Sequence, residues 1–254
     1  MTRIVNNCVA LVCLCLFWGQ SLRAADASHS EQIKWGNESV FNEEHNTLGL
    51  FSGVLGGQIV LAGGTSDDYS RWGRNAVCLS ENAGFALYED VLSKPLAYGA
   101  SITLSDGILC IGGRYSSQCY KDVFFVTMQQ GKLNVSEDWP PLPFPLSNAA
   151  GALLDNKVYL FGGRKSVSPS RLSDSFFVLD LSNKSRGWKE LPGYPGCVRE
   201  DAILVVQNNG VSPCLYLLGG QTETEEGLSS CLTDGYVYNP QLDRKSTRLN
   251  SSHD

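Results

Sequence analysis

The sequence predicts an all-β propeller of stacked four-stranded blades, on three observations. Four apolar runs end in paired glycines. The first glycines of those pairs, Gly63, Gly112, Gly162 and Gly219, lie 49, 50 and 57 residues apart. The 254 residues also include 26 Gly and 10 Pro, the composition of many short strands joined by tight turns. A four-stranded sheet cannot bury both faces alone, so the repeats must stack to make a core.

The third repeat shows the order of elements best. AAGALL reads as strand a, Asp155-Asn156 as a turn, KVYLFGG as strand b, DSFFVLD as strand c and Trp188-Lys189-Glu190-Leu191-Pro192 as strand d. In the second repeat Trp139 lies 27 residues after Gly112, and in the third Trp188 lies 26 after Gly162, so an aromatic on strand d is expected to pack between blades. Paired glycines closing strand b suit a sharp turn or a close backbone approach where a Cβ would clash. A period near 50 with these features marks kelch repeats. The fourth repeat supplies strands a and b and a strand c in GYVYNP, but its strand-d aromatic would fall near position 245, so it reads as cut short. Trp35, 28 residues before Gly63, reads as a closing strand d without its own blade. Propellers often complete one blade with strands from both chain ends, which leaves no sheet edge open.

The propeller is thus expected over residues 28–242, with different material on either side. Residues 1–27 read as a secretory signal: Arg3 gives a positive start, Val9 to Trp18 an apolar stretch, and Ala25-Asp26-Ala27 a small-residue cleavage site. That stretch falls well short of the roughly 20 residues of a membrane-spanning helix, so an exported protein, periplasmic or secreted, is expected. Residues 243–254 open with DRKSTRLNSSH, which resembles the translation of a sequencing-library adapter, and are read as foreign to the native chain. Cys8, Cys13 and Cys15 leave with the signal. Of the six cysteines that remain, Cys110 and Cys214 sit in or beside apolar runs, and free thiols are the favoured reading over disulfides.

Several function classes drop out. The formal charge of −6 offers no basic footprint for nucleic acid. The sequence has no GxSxG elbow, no HExxH, no Walker loop and no CxxC zinc spacing. His29 and His45 precede the first repeat and His253 lies in the tail, so histidine catalysis or a metal site has little material, and no cofactor is expected.

Antiparallel strands a to d alternate direction, so the b-to-c and d-to-a loops emerge on one face of the ring. The b-to-c loops bring Arg74, Arg114 and Arg164. The d-to-a segments bring Tyr98, Asn148 and Arg199-Glu200-Asp201. Strand a lines the channel, so Arg199 and Glu200 are expected at a mouth that binds an anionic small molecule. The candidate substrate-binding residues are Arg199, Glu200, Arg164, Arg114 and Tyr98.

The run KPLAYGASITLSDGILCIGG with KDVFF, then WPPLPFPLSNAAGALLDNKVYLFGG, then PGCVREDAILVV before LYLLGG, resembles the cyclically permuted mutarotase family. Its members are kelch propellers related to N-acetylneuraminate epimerase, with the blade order rotated along the chain. The resemblance implies that about four of six blades are present and that the full-length parent interconverts the α and β anomers of a sialic acid without a cofactor. It also implies that the catalytic glutamate and arginine lie in later blades, so no catalytic residue is assigned here and the fragment is expected to be inactive. Arg199 and Glu200 match the family's Arg-Glu pair in the corresponding segment. The competing expectation is a non-catalytic kelch propeller that binds a glycan or a protein.

Overall fold

The computed structural model describes residues 48–80 and 84–241, together with the backbone of one further strand, Arg244–Leu249. Residues 1–27, expected to be a secretory signal, and Trp35 lie outside the described residues. Four sheets follow one another, each of four antiparallel strands in the order a, b, c, d. Blade 1 comprises Phe51–Leu55, Gln58–Ala62, Ala76–Ser80 and Gly84–Tyr88. Blade 2 comprises Ala100–Thr103, Ile108–Ile111, Val123–Gln129 and Lys132–Ser136, and blade 3 Ala150–Leu154, Lys157–Phe161, Phe176–Asp180 and Lys189–Leu191. Blade 4 comprises Ile203–Asn208, Pro213–Leu218, Gly235–Asn239 and Arg244–Leu249. The chain is a kelch-type β-propeller arrangement with four blades, as the repeats predict.

Two expectations about strand d are corrected. In blade 2 the strand is Lys132–Ser136, a hairpin partner of strand c, and Trp139 lies beyond its end. In blade 4 a strand does fill the fourth place, because Arg244–Leu249 pairs with Gly235–Asn239.

Burial follows each strand's place in its sheet. Strand a of blade 1 alternates between buried and half-buried residues, strand b of blade 2 is buried throughout, and strand d of blade 2 alternates between exposed and half-buried. A central strand covered on both faces reads as a continuous apolar run, whereas an outer strand keeps one wet face. The side-chain period of two then sends alternate residues of one strand into different cores. Ile108 and Cys110 pack towards blade 1 with Phe51 and Val60. Their neighbours Leu109 and Ile111 pack towards blade 3 with Val158 and Leu160. Tyr159 and Phe161 in turn meet Leu215 and Leu217 of blade 4. The cores therefore lie between sheets.

Trp139 and Trp188 pack against the core between blades 2 and 3, and Trp188 Nε1 donates to the carbonyl of Pro140 at 2.9 Å. The turn Asp155-Asn156 has φ of 49° and 59°, two left-handed residues that match the right-handed twist of a hairpin. Cys78, Cys110, Cys119 and Cys214 are buried, and the six cysteines among the described residues are free thiols.

Candidate functional site

One backbone device repeats at each blade and builds the mouth. The residue after each glycine pair forms a two-way bridge with a d-to-a residue: Thr65 with Leu48, Arg114 with Ala97, Arg164 with Ser147, and Gln221 with Glu200. The next residue along each d-to-a segment, Gly49, Tyr98, Asn148 and Asp201, has φ between 52° and 64°. These four residues link the blades. Tyr98 N–H donates to Gly49 O at 2.7 Å, Asn148 N–H to Tyr98 O at 2.7 Å, and Asp201 N–H to Asn148 O at 3.0 Å. The expected gathering of both loop sets on one face is what these bonds produce.

The five candidate residues fall into three environments. Arg199 is corrected: it is not at the mouth but fully buried, 0% exposed, between blades 3 and 4. Its guanidinium forms a bidentate pair with Asp234 at 2.7 and 3.0 Å, donates to Gly219 O at 2.8 Å and donates through Nε to Tyr194 Oη at 2.8 Å. Its Cζ lies 5.1 and 5.4 Å from the ring centres of Tyr194 and Tyr236. Few donors remain for a ligand. Hydrogen bonds from Arg199 hold the Asp234 carboxyl below the usual carboxylate range.

Arg164 and Glu200 do meet at the mouth, but they occupy each other. Nε and Nη2 of Arg164 reach the two carboxylate oxygens of Glu200 at 2.8 and 2.5 Å, and Nη2 also reaches Glu223 at 2.9 Å. Ser170 Oγ bridges Arg164 and Glu223. The Glu200 contact is the main cause that raises the Arg164 pKa further above its ordinary value. Arg74 pairs with Asp90 within its own blade.

Arg114 and Tyr98 form the third environment. Among the described residues, no carboxylate lies within ion-pair distance of Arg114. Its Cζ sits 4.4 Å from the ring centre of Tyr98, and Nη1 donates to Ser116 O at 2.8 Å. Burial, then the hydrogen bond to Tyr69, pushes the Tyr98 phenol above its usual pKa. Asp201, one blade pair away, accepts from Asn148 Nδ2 at 2.9 Å. Its surface is open to solvent, yet the surrounding protein desolvates the carboxylate and raises its pKa. Arg114 and Arg164 both act in the opposite direction on Asp201, so both cations feel its field.

Tyr69, Trp72, Tyr115, Ser170 and Glu223 belong to this mouth and were missed from sequence. The signal for Trp72 was present: a tryptophan in the otherwise polar loop DDYSRWGR has no core to enter. Among the described residues no three His, Cys, Asp or Glu side chains converge as a metal site. No described helix is long and apolar enough to cross a membrane.

Residues 139–252 match the N-acetylneuraminate epimerase family. N-acetylneuraminate epimerase of Haemophilus influenzae (strain PittEE) is 31% identical over 105 residues, 41% of this chain and 25% of that protein. The enzyme of the same name from Yersinia pestis (strain Pestoides F) is 30% identical over 111 residues, 43% of this chain and 26% of that protein. A kelch domain-containing protein of Vibrio cholerae is 31% identical over 106 residues, 41% and 27% of the two chains. The matched stretch spans about a quarter of the length of these curated relatives. The solved structure of YjhT superposes with a TM-score of 0.60 at 14% identity, over 80% of this chain and 68% of that one, a likeness of fold. The epimerase match covers blades 3 and 4 and the segment that carries Arg164, Arg199, Glu200 and Asp201.

Proposed function

We propose that the whole protein to which these blades belong is exported and interconverts the α and β anomers of N-acetylneuraminate. The observation that carries the reading is the composition of the mouth: an arginine without a carboxylate partner among the described residues, together with an exposed carboxylate of raised pKa, in a chain whose second half matches the epimerase family. The match begins at residue 139, at the boundary of blades 2 and 3. A blade order rotated relative to the relatives would break a collinear match at such a boundary.

The chemistry needs no electron transfer. A base takes the proton of the anomeric hydroxyl, the bond from the anomeric carbon to the ring oxygen breaks, and an acid protonates that oxygen as the carbonyl forms. Rotation about the single bond beside that carbonyl carbon turns its other face to the freed hydroxyl, and reversal of these steps closes the ring there. Arg114 is suited to hold the sugar carboxylate, and Asp201, with its raised pKa, is suited to exchange one of the two protons. The remaining proton-transfer group belongs to blades outside the four described.

Proton NMR of freshly released α-anomer tests this. The full-length protein should bring the anomers to equilibrium faster than buffer does, general acid–base catalysis typically giving about 10²- to 10⁴-fold. A folded full-length protein without any acceleration would leave a propeller that binds a glycan or protein and catalyses nothing.

A further inference from the structure

Arg114 is held in a way that prepares it for one kind of ligand. Its backbone is fixed by both bonds of the bridge to Ala97, at 3.0 and 2.7 Å. Its guanidinium carbon lies 4.4, 5.4 and 5.7 Å from the ring centres of Tyr98, Trp72 and Tyr69. The rings also hold one another: Tyr69 stacks on Tyr98 at 6.4 Å, Trp72 meets Tyr98 at 6.3 Å, and the Tyr98 hydroxyl donates to Tyr69 Oη at 3.4 Å. Tyr115 closes the group edge-on to Trp72 at 5.5 Å.

The rings hold the guanidinium by cation–π attraction and use as conventional hydrogen-bond donors none of its five N–H groups, which lie as a rim in one plane. One of those N–H groups is committed to Ser116 O. The rest of the rim has no acid among the described residues. Side-chain entropy that an arginine would lose on meeting an anion has already been lost here, to the rings. The partner that fits an in-plane rim is a planar carboxylate. Tyr69 and Tyr115 are 50% and 44% exposed, so an apolar sugar face can lie beside that carboxylate.

We propose that Arg114, caged by Tyr98, Trp72 and Tyr69, is the carboxylate receptor for a ring-shaped sugar acid. The inference rests on the reading above for the place of the substrate, and adds that the three aromatics are positioning residues for Arg114.

The test is titration of this chain with N-acetylneuraminate, with its methyl ester, which keeps the ring and hydroxyls but lacks the charge, and with acetate. Heat of binding is measured beside tryptophan fluorescence. The free acid should bind, the ester at least about tenfold more weakly for want of a charge-assisted hydrogen-bond pair, and acetate more weakly for want of a ring to lie beside the tyrosines. Arg114→Lys should lose a similar factor, because an ammonium has no planar rim to meet both carboxylate oxygens. Trp72→Leu should weaken the acid and Trp72→Phe restore it, with unchanged melting for each variant. Equal binding of acid and ester, or an Arg114→Lys protein that binds as wild type does, overturns the proposal. If Arg114→Lys does not fold, the exposed Tyr69→Leu variant carries the same comparison. Binding by this pattern while the full-length protein leaves anomer exchange unaccelerated sinks the enzyme reading and keeps the receptor. Acceleration by a full-length protein that is indifferent to Arg114→Lys does the reverse.

Discussion

Arg199 shows how register decides what a residue does. The carbonyls of Leu96, Leu146 and Arg199 accept the N–H of Gly64, Gly113 and Gly163 at 2.9, 2.8 and 2.8 Å, so the three are equivalent positions of successive repeats. Leu96 and Leu146 are 2% and 1% exposed. Arg199 stands at a buried-leucine position, and blade 4 answers with Asp234. Removing one partner of a buried ion pair costs about 3–5 kcal/mol, whereas replacing both with apolar groups is often near neutral. Arg199→Leu alone should therefore lower stability by about that amount in urea melts, and Arg199→Leu with Asp234→Leu should recover most of it. A single variant as stable as wild type would contradict the role. The pair also sets an acid limit: the Asp234 pKa is depressed in the fold, so its contribution is present above the ordinary carboxylate pKa and is lost as pH falls through the depressed value. Denaturant midpoints measured from pH 6 down to pH 2 should fall less steeply in the double variant. Its charge, its place in a d-to-a segment and the family resemblance made Arg199 look like an anion site. Aligning it with Leu96 and Leu146 would have placed it inside.

At the scale of the element, strands a, b and c were legible because each has apolar side chains to bury. Strand d of blade 2 was not, because KLNVS is an outer strand with exposed residues at every second place. Its tryptophan marks the return path to the next blade instead. The glycine pairs were read correctly as close-approach positions, and they carry a graded test. A Cβ on Gly112 would lie 2.2 Å from Leu146 O, and one on Gly162 2.5 Å from Arg199 O. On Gly219 the nearest atom, Leu232 O, is 3.3 Å away and belongs to the same blade. All three have φ near 60°, which costs a residue with a Cβ about 1–2 kcal/mol. Gly219→Ala should lose about that much in thermal or urea unfolding. Gly112→Ala should lose clearly more, since backbone must move, and equal losses would mean that the blades do not meet as described.

Across the four blades the same comparison exposes one face. Ile203, Val205 and Leu218 pair in the register that Phe51, Gly53 and Ala62 hold in blade 1 and Ala100, Ile102 and Ile111 in blade 2. Phe51, Ala62, Ala100, Ile102 and Ile111 are 1–6% exposed, whereas Ile203, Val205 and Leu218 are 48%, 42% and 38% exposed. An apolar sheet face of this kind favours association. Light scattering behind size exclusion should show this chain associating with rising concentration, and Ile203→Thr with Leu218→Thr should suppress that while costing under about 1 kcal/mol. Truncation of Phe51 to Ala should cost about 3–5 kcal/mol by contrast. A monodisperse wild type over the same range would argue that the exposed face is inert. The period of the glycines made the number of blades legible, but no side-chain pattern could say which faces have neighbours.

The ladder of Gly49, Tyr98, Asn148 and Asp201 has a consequence for how such a mouth diversifies. Blade is tied to blade there through main-chain N–H and carbonyl groups, with one side-chain bond from Asn148 to Asp201 beside them, at positions where four different residues adopt one backbone conformation. The ladder bonds at Tyr98, Asn148 and Asp201 do not depend on the side chain, provided each tolerates a left-handed φ, whereas a Cβ on Gly49 would lie 2.8 Å from the Tyr98 ring. Exchanges among Gly, Asn, Asp and Tyr at the last three of these positions would recast the rim without a debt to the core. Charge, aromaticity and hydrogen-bonding capacity can thus be inherited blade by blade, and a change of ligand need not wait for a change of fold.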